Sequence, residues 1–281
     1  MRAGNRRVHF RQLFGGLAVA ICLGFVFQGC AEVPITHRSA LHLVPESELL
    51  SMSLQQYDDV LKKNKLSTDT REVEMVRRVG NRIAKAAEAF LAETGEGDKI
   101  KNYHWEFNLI QDDKTVNAWV MPGGKAAVYT GILPYTQNET GLAVVLGHEV
   151  GHALADHGNE RMSEALLANM GGLALSVALS QRPQETQQLF MTVYGVGANV
   201  GFLLPYSRLQ ESEADRIGLT LMARAGYDPR AAIPFWERMS KQEGKSSPPE
   251  FLSTHPAPET RIADIKKYIP EAMPYYEKAV K

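Results

Sequence analysis

Two imidazoles and a carboxylate sit inside an apolar run: His148-Glu149-Val150-Gly151-His152 is framed by Leu142, Val144, Val145, Leu146 and Leu154. The apolar period places the segment on a helix. Histidines four apart then stack one turn apart on one face, where they can share a metal ion, and Glu149 is rotated by about 100° towards a water near that ion. Neutral imidazole and carboxylate donors suit zinc, which takes three protein ligands in tetrahedral sites that keep a position open for reaction. A second helical run, from Ser207 through Asp215, brings further carboxylates. Glu211 and Asp215 are four apart, so one face offers Glu211 as the third ligand and Asp215 as the acceptor that holds a ligand imidazole by its other N–H. Glu213 points elsewhere and reads as a surface carboxylate, although spacing alone leaves a swap of roles between Glu211 and Glu213 open.

Composition narrows the remaining classes. The 281 residues, 44% hydrophobic and 22% charged, supply one sizeable core, and a formal net charge of -1 gives no basic surplus for gripping phosphate backbones. Nucleic-acid binding is therefore not expected. Pro122-Gly123-Gly124-Lys125 lacks the spacing and the Ser/Thr of a phosphate loop, so no nucleotide is expected either. The two cysteines are Cys22 and Cys30. A mature chain beginning at Cys30 forms no internal disulfide and offers no thiolate metal site, which leaves His, Asp and Glu as ligands.

The N-terminal residues have a character of their own: Arg2, Arg6, Arg7 and Arg11 precede an uncharged apolar run from Leu13 to Phe27. That reads as an export signal over 1–29, with a run shorter than a membrane span needs. Gly29-Cys30 resembles the cleavage site of bacterial lipoproteins. The expectation is lipidation of Cys30, a tether over 30–44 and anchorage facing the periplasm, at the outer membrane since Ala31 follows the cysteine.

A catalytic domain is expected over 45–281. Leu54, Tyr57 and Leu61 recur at helical spacing, and Val73, Val76, Val79, Ile83 and Ala87 line a second helix closing near Gly95 and Gly97. Short strand-like runs follow at 103–111, 116–121 and 126–133, separated by Asp112-Asp113-Lys114 and Pro122-Gly123-Gly124. From Asn138, a plausible cap, the pattern is helical, with the first helix over 141–157. The fold class is α+β, mainly helical, with a small β-sheet. The apolar stretches 165–179 and 189–204 are interrupted by glycines and read as packed helices, with shallow membrane contact as the alternative. His157 reads as solvated or near a helix end, and His104 as structural.

Taken together, His148 to His152, Ser207 to Gly218, Asn117-Ala118-Trp119 with Pro122-Gly123-Gly124, and Thr254-His255-Pro256 followed by Arg261 resemble metallopeptidase family 48. These are gluzincins that include the HtpX-like and BepA-like bacterial envelope zinc proteases. The resemblance runs from about Gln55 to Tyr268. It implies a zincin-like domain, one zinc per chain, and Glu211 as ligand. Asn117 and Ala118 match a segment beside the metal whose edge can pair with substrate backbone. His255 matches a histidine near the zinc that either stabilises the tetrahedral intermediate or blocks the metal in a latent state; Arg261 orients it or pairs with a carboxylate. The expected function is a zinc endopeptidase that cuts unfolded or misassembled envelope proteins, with Glu149 and His255 catalytic. The alternatives are an envelope assembly factor that uses the zinc domain to bind clients, and a hydrolase of small amides or peptidoglycan.

Overall fold

The computed structural model describes residues 30–170, 183–194, 207–242, 249–256 and 259–281. The expected export signal over 1–29, and much of the apolar stretches 165–179 and 189–204, lie outside the described residues. Among the described residues no helix is long and apolar enough to cross a membrane.

In place of the tether expected over 30–44, the chain forms a short antiparallel ribbon of β1 (Cys30–Glu32) and β2 (Ser39–Leu41), with Val33, Ala40 and Val44 buried. Strands of three residues are too short to show a period, which is why the sequence pattern did not reveal them. Helix α1 (Glu46–Lys63) follows, with Leu49, Met52, Tyr57 and Val60 buried. Leu54, expected on the core face, is 52% exposed. Two overlapping stripes share Tyr57, and packing selects the one containing Leu49 and Met52. Helix α2 (Thr70–Glu93) starts at an Asp69 side chain that accepts from the Glu72 N–H, and it buries Val76, Val79, Ile83 and Ala87 as expected.

The sheet orders as β3-β5-β4, from β3 (Glu106–Ile110), β4 (Ala118–Met121) and β5 (Lys125–Tyr129). β3 and β5 run parallel, while β4 and β5 form an antiparallel hairpin. Gly123 and Gly124 both have φ near +80° at its turn, a conformation that side chains with a Cβ resist. After the short α3 (Leu133–Thr136), Asn138 caps α4 (Glu139–Leu154), its side chain accepting from the Gly141 N–H. The chain then breaks at Asp156, whose φ is +52°, and restarts as α5 (His157–Met170). The single helix expected over 141–157 therefore ends three residues early. Next come α6 (Pro183–Val193), α7 (Arg208–Arg224), α8 (Ala232–Ser240), the single-turn α9 (Glu250–Thr254) and α10 (Glu259–Ala279). The result is the expected α+β class, mainly helical with small sheets.

Candidate active site

The site is made by the contact between α4 and α7. A Cβ added to Gly218 would come within 2.8 Å of the backbone of Gly147 and His148, and one on Gly151 within 2.8 Å of the Ala214 carbonyl oxygen. The two backbones touch because these positions carry almost no side chain. α7 begins with a reciprocal cap: Ser207 accepts from the Gln210 N–H, and the Gln210 side chain accepts from the Ser207 N–H. This fixes the first turn, where Glu211 faces α4.

His148, His152, Glu211 and His255 present donor atoms that all lie within 4.8 Å of one another, and all four residues are buried. His148 Nε2 is 3.0 Å from His152 Nε2, which is 3.3 Å from Glu211 Oε1. His255, just past α9, brings Nδ1 to 2.9 Å from Glu211 Oε1 and Nε2 to 3.4 Å from Glu149 Oε1. Glu149 Oε1 is buried without a hydrogen bond. Convergent imidazoles, a carboxylate and an orphaned acceptor fit a bound metal, and the His148, His152 and Glu211 group is a metal-binding one.

Asp215 Oδ1 lies 3.0 Å from His148 Nδ1. Arg261 pairs with carboxylates. Its Nε and Nη2 each donate to Asp215 at 2.8 Å, Nη1 is 2.6 Å from Glu211 Oε2, and its guanidinium lies 3.4 Å above the Trp236 ring centre. Burial lowers His148 and holds His152 well below the ordinary histidine range, which keeps both rings neutral as ligands require. For Glu211 the push of burial is outweighed by Arg261 and the neighbouring imidazoles, and its carboxyl ends well below its usual range. Glu149 responds oppositely: burial pushes it up to about 7, against the pull of His255.

Asn117 is buried just before β4, its Oδ1 accepting from the Ala118 N–H and its Nδ2 donating to Glu250 Oε1 at 3.3 Å. β4 lies at the edge of its sheet and packs on α4. The Phe251 N–H donates to the Val116 carbonyl at 3.0 Å, tying α9, and with it His255, to the segment leading into β4.

One expectation fails here and another is met only in part. Glu213 is no surface carboxylate but 4% exposed, and it accepts hydrogen bonds from Thr36 and Arg38. His157 starts a helix, yet it is fully buried rather than solvated, with Nδ1 2.8 Å from His152 Nδ1 and Nε2 3.2 Å from Glu213 Oε2. The available signal was that α7 is apolar on several faces, with Ala214, Ile217, Leu219 and Leu221 all buried, which leaves little room for a solvated carboxylate. His104, by contrast, is exposed and precedes β3.

Residues 72–269 match the profile described as peptidase family M48. This chain belongs to peptidase family M48. Among its relatives is the mitochondrial metalloendopeptidase OMA1 of Schizosaccharomyces pombe, 33% identical over 95% of this chain and 74% of that protein. The Saccharomyces cerevisiae protein of the same name is 32% identical over 98% of this chain and 78% of its own length. The beta-barrel assembly-enhancing protease of Escherichia coli is 34% identical over 58% of this chain and 34% of that protein. With its histidine and glutamate cluster, this M48 chain is a metalloendopeptidase that acts on proteins.

The same relatives correct the expected location. An outer-membrane lipoprotein facing the periplasm, held by Cys30, was read from a few residues around the cysteine. The M48 relatives that align along nearly the whole chain are mitochondrial enzymes. A short apolar leader after arginines is shared by several targeting routes, so it did not carry that assignment.

Proposed function

We propose that this M48 chain is a zinc endopeptidase that cuts unfolded or misassembled protein segments, using Glu149 as general base. The supporting observation is Glu149 itself, buried beside the His148, His152 and Glu211 group with one carboxylate oxygen unbonded. Zinc, when bound, supplies a positive charge that polarises the scissile carbonyl and acidifies the attacking water. Glu149 takes the proton of that water and hands it to the departing amine, a role suited to a carboxyl poised near neutral pH. His255 stands beside Glu149, with Nε2 3.4 Å from Glu149 Oε1, and serves as a donor to the oxygen that gains charge. Asp215 keeps the His148 ring oriented through Nδ1.

The sheet edge supports the substrate class. β4, from Ala118, offers backbone groups that pair with an extended chain, and Asn117 braces its start. A segment pairs this way only if it is already free of its own secondary structure, which favours unfolded or misassembled proteins. The test is cutting of a reduced, unfolded protein by the zinc-loaded chain and by Glu149→Gln. Loss of about 10²–10⁴-fold in rate with zinc content unchanged is expected. Equal cutting by both overturns Glu149 as base, and no cutting by the parent on any unfolded protein overturns the substrate class.

A further inference from the structure

We propose that Arg38 is a positioning residue for the metal ligand His152, acting through Glu213 and His157. The inference rests on the metal site described above but not on any particular substrate. His148 is held directly by a carboxylate, Asp215. His152 is not held in that way. Its Nδ1 faces another imidazole, His157 Nδ1 at 2.8 Å, and His157 Nε2 faces Glu213 Oε2 at 3.2 Å.

Proton placement follows from donor and acceptor chemistry. A carboxylate oxygen only accepts, so His157 carries its proton on Nε2 and donates it to Glu213. Two nitrogens 2.8 Å apart need one donor and one acceptor; with the His157 proton on Nε2, its Nδ1 accepts and His152 Nδ1 donates. With the proton of His152 on Nδ1, its Nε2 carries a lone pair where His148 Nε2 and Glu211 Oε1 converge, at 3.0 and 3.3 Å. The opposite tautomer would place a proton where the ion binds.

What fixes Glu213 comes from far away in the sequence. Thr36 Oγ1 donates to its Oε1 at 2.5 Å, and Arg38 Nε donates to its Oε2 at 2.8 Å. The two Nη groups of Arg38 hold both oxygens of the buried Glu160 at 2.6 and 2.8 Å, and Gln210 Nε2 donates to Glu160 at 2.8 Å. The guanidinium therefore bridges two buried carboxylates, one on α5 and one on α7, and sets the position of the acceptor that begins the relay.

The test is zinc affinity of the full chain, measured by competition with a chelating dye, for the parent, Arg38→Met, His157→Leu, His157→Gln and the double variant Arg38→Met with His157→Leu. Glutamine can donate to Glu213 and accept from His152 as His157 does, whereas leucine can do neither. Arg38→Met and His157→Leu are each expected to weaken zinc binding about 10–100-fold, and His157→Gln no more than about threefold. Because the residues act in series, the double variant should be no weaker than the weaker single one. Parent-like affinity in Arg38→Met, or a double variant that loses the product of the two single losses, overturns the proposal. If circular dichroism shows Arg38→Met unfolded, the His157 pair decides: retention with glutamine supports the relay, and equal weakening by glutamine and leucine overturns it. Since affinity is the readout, the outcome does not depend on whether the chain cuts unfolded proteins.

Discussion

Asp156 occupies the break between the two helices that carry His152 and His157, in a left-handed conformation that asparagine and aspartate tolerate better than most residues. Asn159 donates to it at 3.1 Å and His42 Nδ1 lies 3.3 Å away. Burial pushes its carboxyl up to about 7. A group whose folded value is raised holds its full contribution below the unfolded value near 3.8 and loses it as pH rises through about 7. Asp156→Asn, which keeps the backbone preference and removes the titration, should therefore gain melting temperature over the parent as pH is raised from 5 to 8. A difference that stays flat, or shrinks, over that range shows that the carboxyl is not held up. Arg261 is the opposite case, a buried cation among carboxylates, and Arg261→Met leaves Asp215 and Glu211 facing each other without it. Loss of about 3–5 kcal/mol in denaturant unfolding is expected. At this scale the sequence disclosed the groups whose partners are close along the chain. His148, Glu149 and His152 lie on one helix, where spacing brings them together, whereas on the other helix spacing left Glu211 and Glu213 open and the family resemblance chose Glu211. Glu213 was misread because a partner that helps bury it, Arg38, comes from the other end of the chain.

Between elements, the decisive contact is that of α4 with α7. Gly218→Ala would place a methyl carbon 2.8 Å from the backbone of Gly147 and His148, where only movement of a whole helix relieves it. Overpacking of this kind costs about 1–3 kcal/mol. Its distinctive result should be a loss of zinc affinity larger than the loss of stability suggests, because Glu211 rides on the displaced helix; unchanged affinity would show that the helices have slack. Helix capping at Asn138 and the turn at Gly123-Gly124 were readable from local chemistry. The face of α1 was not. Leu54 and Leu49 lie on different stripes that share Tyr57, and the choice between them rests on what the rest of the protein brings to that surface.

Across the whole molecule, the metal site is a buried cluster of imidazoles and carboxylates, so the ion belongs to the stability of the folded state as well as to the chemistry. Zinc at about a hundred times its dissociation constant adds roughly 2.7 kcal/mol. For a chain of this size that corresponds to about 5–10 °C in melting temperature. Chelation should lower the melting temperature by that amount and zinc should restore it, whereas a transition indifferent to chelator would place the ion outside the cooperative unit. The family match begins at residue 72, yet the cation that lies between Glu160 and Glu213 is contributed by residue 38. The working boundary of the catalytic unit therefore falls well before the start of the family profile. A chain cut anywhere between Arg38 and Glu46 would keep every ligand and every catalytic side chain, and would still lose the guanidinium that lets two buried negative charges share the same wall.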